Sequence, residues 1–177
     1  MRWIWLGLTF LALCLSGCSV GAAGLNPYID TADGYQFLYP NGWVQIQTNQ
    51  GADVLFHDLI DPSETVSLVI SPVKSGKTLA ELGSPGELGE RLMNTALAQA
   101  TVDQKPQLVR AESHQDSKQL YYTLEYVVNT STGTRHNLAA ITTSGGKLYT
   151  LNASVPESRW PKLVKTLNQV VNSFQVY

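Results

Sequence analysis

The groups with which this 177-residue chain could do chemistry are three histidines, fourteen acidic side chains and two cysteines. His57, His114 and His136 lie in three separate segments. In "HDLID", His57 and Asp58 are neighbours, so a strand would point them to opposite faces, and they do not readily share an ion with Asp61. In "ESHQD", period two puts Glu112, His114 and Asp116 on one face, the better-placed metal-ligand set that spacing alone offers. A solvated edge strand explains the same pattern, and the residues alone favour that reading. Asp53, Asp58, Asp61 and Glu64 make a loosely acidic stretch. Calcium takes about 6–8 oxygen ligands, and this spacing matches no calcium loop. There is no phosphate loop, paired-histidine zinc motif or strained serine elbow. With a net charge of −2 and no cluster of Lys and Arg, nucleic acid is not an expected partner.

Both cysteines, Cys14 and Cys18, fall in "LCLSGCSVG" near the N-terminus. Met1-Arg2 and the apolar run "WIWLGLTFLALCL" precede the small residues, the layout of an export signal. A spanning helix wants roughly 20 predominantly apolar residues, and apolar density collapses after Leu15. "LSGC" resembles the lipobox of bacterial lipoproteins. On that resemblance residues 1–17 are removed and the Cys18 thiol carries a diacylglyceryl group, while Cys14 is a small apolar residue of the discarded segment. Two or more acyl chains anchor stably where one binds marginally. The remainder, about 160 residues, suits one domain with a real core. It has no thiol left over for an intrachain disulfide.

The elements that must position these groups are legible in the hydrophobic period. "SVGAAGLNP" reads as part of a flexible tether, residues 18–32, ahead of a domain at 33–177. "YQFLYP", a strand from Trp43, "ADVLFHDLI" and "ETVSLVISPV" predict four strands separated by turn residues. Ser84, Pro85 and Glu87 form a capping box before Leu88, Leu92, Met93, Ala96 and Leu97 at helical spacing. "QLVRAESHQ", "KQLYYTLEYVVN", "RHNLAAITT" and "KLYTLNASVP" return to strands. A last helix carries the stripe Trp160, Leu163, Val164, Leu167, Val170, Val171 and Phe174. Runs of strands joined by short turns, with two amphipathic helices, predict an α+β fold with an antiparallel sheet covered by helices.

Three stretches, "GYQFLYPNGW", "GSPGELGERL" and "RHNLAAITTSGGKLYTLNASVPESRWPKLVKTLNQVVNSFQV", closely resemble the PsbP family of extrinsic photosystem II proteins. The resemblance runs from about Asp33 to Tyr177. It implies a PsbP-like (Mog1-like) α-β-α sandwich around a central antiparallel sheet, and no enzymatic activity. The lipobox and the short N-terminal arm point to the family's cyanobacterial branch. The implied setting is the lumenal side of the thylakoid membrane, held by the N-terminal lipid. The implied partners are photosystem II subunits or assembly intermediates, and the implied role is assisting assembly or stabilising the oxygen-evolving side. The resemblance also carries over one metal site, on His136 and Glu157, for a weakly bound Zn, Mn or Ca with no cofactor required. Glu157 stands where the family typically has Asp. Equal counting from the Ser144-Gly145-Gly146 turn places residues 153–155 opposite His136, with Glu157 just beyond. Such a site would weaken as pH falls through about 6.5. The alternative function is a metal-handling lipoprotein of the thylakoid or envelope.

Overall fold

Inward-facing aliphatic and aromatic residues at every second position build one large antiparallel sheet. The computed structural model describes residues 24–47, 51–73, 76–97, 106–116 and 119–177. The expected signal segment, with Cys14, and the expected anchor Cys18 lie outside them. The strands are β1 (Leu25–Asp30), β2 (Tyr35–Pro40), β3 (Trp43–Ile46), β4 (Val54–Asp58), β5 (Thr65–Pro72), β6 (Gln107–Asp116), β7 (Gln119–Thr130), β8 (Gly133–Ser144), β9 (Lys147–Pro156) and β10 (Gln175–Val176). The helices are α1 (Pro85–Leu97) and α2 (Trp160–Asn172). Seven strands form a sheet in the order β3-β4-β5-β9-β8-β7-β6, and a second sheet has the order β1-β2-β10.

Alternation sorts the large sheet's side chains to two faces. On one face Tyr122, Leu124 and Ile141 meet Leu88 of α1, with Leu79 and the half-buried Leu92. On the other, Val66, Leu68, Leu138, Ala140, Leu151, Ala153 and Val155 meet Leu167, Val170, Val171 and Phe174. The small sheet joins this second core through Leu25, Tyr35 and Phe37. The expected helix-covered antiparallel sheet is thus observed, with a helix against each face and a small sheet added on the α2 side.

The capping box is formed: the Ser84 N–H donates to Glu87 Oε2 at 2.8 Å, and the Glu87 N–H to Ser84 Oγ at 3.3 Å. Hydrogen bonds to the Ser84 backbone and hydroxyl hold the Glu87 carboxyl below its usual range. Of the expected α1 stripe, Leu88 and Met93 are buried. The side chains of Ala96 and Leu97 lie outside the described set.

The tether expected over 18–32 requires correction at its C-terminal half. Leu25–Asp30 is a strand, paired antiparallel with β2 from Leu25↔Pro40 to Asp30↔Tyr35. Pro27 conceals it in the sequence. Lacking an N–H, proline is tolerated in an edge strand, which β1 is. Tyr28 secures β1 by packing on the rings of Phe37 and Phe56 at 5.3 and 5.4 Å. Strand β10 also escapes a pattern reading, since two residues have no period. Gly34 holds it: the Tyr177 N–H donates to the Gly34 carbonyl at 2.9 Å. A Cβ on Gly34, at φ 71°, would meet the Tyr177 carbonyl oxygen at 2.8 Å.

Four tyrosines packed in these layers carry a pH consequence. Burial raises the hydroxyls of Tyr28, Tyr35 and Tyr121 above the ordinary value, Tyr35 further because it donates to Asp53 at 2.5 Å. Burial pushes Tyr126 up to about 12. In the unfolded chain they ionise near pH 10. The unfolded state therefore loses protons first, and this stabilisation, complete below about pH 10, is lost as pH rises toward and past 12. An alkaline titration followed by tyrosinate absorbance and circular dichroism is expected to show these rings ionising together with unfolding. Their ionisation near pH 10 in a still-folded chain would contradict this.

Candidate functional site: a histidine held between two carboxylates

His136 lies near the start of β8, where Arg135 and His136 pair with Pro156 and Val155 of β9. The register matches the count from the glycine turn. The chain then leaves β9 through a short helical turn, Glu157–Arg159, which swings Glu157 back over the strand end. His136 is 5% exposed. Its Nδ1 lies 2.7 Å from Glu157 Oε2, and its Nε2 lies 3.0 Å from Glu125 Oε1. The imidazole stacks on the Trp160 indole, with centroids 3.7 Å apart and planes 9° from parallel. Glu125 comes from β7, and its other oxygen accepts from Arg110 Nε of β6 at 3.1 Å. Arg110 Nη1 also donates to Glu112 at 3.0 Å.

The His136–Glu157 pair is therefore closer than the register alone suggests. Glu125 is the member that the sequence reading missed. Its signal was present: Glu125 shares the β7 face with Tyr121 and Thr123, so it is a charge on a strand face otherwise turned to a core. The two carboxylates sit at opposite edges of the ring and do not converge on one point.

The other expected clusters resolve differently. Glu112, His114 and Asp116 are exposed along edge strand β6. Glu112 pairs with Arg110, and His114 stacks on Tyr121 at 5.4 Å. The acidic stretch serves turns and an ion pair. Asp58 Oδ1 accepts the N–H groups of Ile60 and Asp61 at 2.8 and 2.7 Å, and Asp61 Oδ1 accepts from the Ser63 hydroxyl at 2.6 Å. Hydrogen bonds from Ser63, with lesser contributions from Arg159 and Arg135, keep the Asp61 carboxyl below its usual range. Glu64, 1% exposed, accepts from Arg159 Nε. Arg159 and Trp160 thus tie the turn after β9 to its two flanking strands, to the start of β5 through Glu64 and to β8 through His136. Among the described residues, three potential ligand atoms meet within 4.8 Å at Asp30, Asp33 and Asp53. Lys147 donates to Asp33 there at 2.8 Å, which offsets the charge.

Among the described residues, His136 is bonded to two carboxylates and not to a nucleophile. Fold and site define an α-β-α sandwich whose buried histidine is immobilised by a ring and two carboxylates. The PsbP family model matches residues 23–176, and the chain belongs to the PsbP family. It is 44% identical over 175 residues to CyanoP of Thermosynechococcus vestitus, covering 96% of this chain and 95% of that protein. It is 36% identical to PsbP-like protein 1, chloroplastic, of Arabidopsis thaliana, covering 92% of this chain and 69% of that protein. The solution structure of cyanobacterial PsbP (CyanoP) from Synechocystis sp. PCC 6803 superposes with a TM-score of 0.76 at 42% identity, over 92% of this chain and 99% of that one.

Proposed function

We propose that this chain is a non-enzymatic lipoprotein of the thylakoid lumen that associates with photosystem II, assisting its assembly or stabilising its oxygen-evolving side. The observation that carries the reading is identity above 40% to cyanobacterial PsbP proteins over nearly the whole length. The site is consistent with it, because its polar groups pin one helix to a sheet rather than present a reactive atom. Cys18 supplies the anchor, and the partner is a photosystem II subunit or assembly intermediate. Deleting the gene is expected to slow the accumulation of active photosystem II after photodamage. Recovery at the parental rate would count against the proposal.

One observation supports a metal-handling reading beside it. A divalent ion could replace the proton between His136 Nδ1 and Glu157, leaving the Nε2–H to donate to Glu125. A carboxylate on the far nitrogen is the usual way a metal-bound histidine is oriented. The fit stops at two protein ligands, whereas structural zinc takes four. Calorimetric titration with zinc, manganese and calcium is expected to give weak binding at most, lost in His136→Ala and reduced in Glu157→Ala. Tight binding that survives His136→Ala would place the ion elsewhere.

A further inference from the structure

Leu59 and Ile60, at the tip of the turn between β4 and β5, are 66% and 93% exposed. Two large aliphatic side chains side by side at a tip run against the ordinary composition of a turn, which is polar. The tip is held rigidly outward. Asp58 accepts from the Ile60 and Asp61 N–H groups, and the Leu59 N–H donates to the Gly42 carbonyl at 3.1 Å. Behind it, Arg135 Nη2 donates to the Ser63 carbonyl at 2.5 Å, and Glu64 is tied to Arg159. The acidic groups at the base of the turn, Asp58 and Asp61, lie in the field of Arg159, and Asp61 also in that of Arg135. The apolar tip is therefore backed by compensated charge.

The same corner receives the N-terminal chain. The Asn41 N–H donates to the Gly24 carbonyl at 2.9 Å, and Asn41-Gly42 is the turn against which Leu59 is bonded. Residue 24 thus enters the domain one turn away from the tip. Five residues separate it from Cys18, six steps along the chain with a reach of about 20 Å when fully extended. We infer that Leu59 and Ile60 insert into the bilayer interface beside the acylated Cys18, giving the domain a second membrane contact and a fixed orientation. This rests on the lipid-anchor reading of Cys18. An anchor alone leaves the domain free to rotate on its tether. Anchor and tip together stand the β4–β5 end of the large sheet, with the His136 cluster, toward the membrane, and the β8–β9 turn away from it. The occupant is a lipid surface because the tip is a two-residue wedge rather than a groove, and because the short tether brings the bilayer within its reach.

The test uses full-length protein extracted from membranes, carrying Ile60→Cys labelled with an environment-sensitive fluorophore and reconstituted in dioleoylphosphatidylcholine vesicles. Lys77→Cys, exposed beyond the opposite end of β5, serves as the reference position. Mass spectrometry of each preparation reports acylation of Cys18. The expected result is a blue-shifted label at 60, quenched several-fold more by doxyl-phosphatidylcholine than the label at 77. Acylated, vesicle-bound protein with equal, weak quenching at both positions would overturn the inference and leave the lipid anchor standing. Unacylated protein, with Met1-Arg2 retained, would remove the anchor reading and this inference with it.

Discussion

Leu167→Ala is expected to destabilise the domain by about 2–5 kcal/mol, the range for emptying a fully buried leucine site. Leu167 is 0% exposed in the middle of α2, flanked on the same stripe by Val170, Val171 and Phe174. The helix packs on β2, β8 and β9, strands held by pairing on both sides, so the cavity collapses little. Urea denaturation should show a lower midpoint with an unchanged slope. A midpoint equal to the parent's would mean that α2 turns another face inward. Lys165→Ala, on the exposed side of the same helix, is the matched control.

His136→Ala is expected to cost about 3 kcal/mol, from hydrogen bonds to charged groups worth about 1.5–3 kcal/mol each and a lost aromatic stack. The imidazole is buried, and removing it strands Glu125, whose side chain is 15% exposed, on Arg110 alone. The asymmetry between the two glutamates sharpens the test. Glu157 has a side chain 48% exposed, so Glu157→Ala should cost no more than about 1 kcal/mol, as for other solvated pairs. Trp160 fluorescence reads the local effect, since the ring stacks at 3.7 Å on His136. Equal losses in the two variants, or a His136→Ala protein as stable as the parent, would show that the ring is not the keystone of this corner.

How much of this could be read from the sequence differs from element to element, for physical reasons. Helices α1 and α2 carry a stripe with a period and recognisable starts, a capping box at Ser84 and Pro161 in the first turn of α2, and both are found where expected. The long strands β7, β8 and β9 are joined by glycine turns, so counting fixes their register, and His136 does face Val155. β1 reads as tether in the sequence because Asn26-Pro27 looks like a loop and only Leu25 of its side chains is buried. The site was half legible. His136 and Glu157 were identified by family resemblance, while Glu125 belongs to a strand that reads as a hydrophobic run. Glu64 reads as one more member of the acidic stretch, yet it stands two residues before Val66 and four before Leu68, on the face those residues bury. A carboxylate in phase with an inward apolar row asks for a cation, and Arg159 supplies it from ninety-five residues away. Pattern gives the phase of a side chain but not its distant partner.

The fold and its histidine clamp suit a protein whose work is to present a shaped surface. His136, Glu157 and Trp160 hold the start of α2 and its leading turn against the sheet, Arg110 and Glu125 join β6 to β7, and the acidic stretch is spent on turns, the Arg159 ion pair and the Tyr35 hydroxyl. Specificity must then lie in surfaces at the rim, set by the same clamps that fix Glu157 and the β4–β5 turn.

Association with photosystem II can be read by affinity capture from native thylakoid membranes. A C-terminally tagged chain is solubilised in mild detergent, captured, and its companions quantified by mass spectrometry against an untagged strain. Photosystem II subunits or assembly intermediates are expected to be enriched well above photosystem I and ATP synthase from the same membranes. Equal recovery of all three complexes, or none of photosystem II, would contradict it.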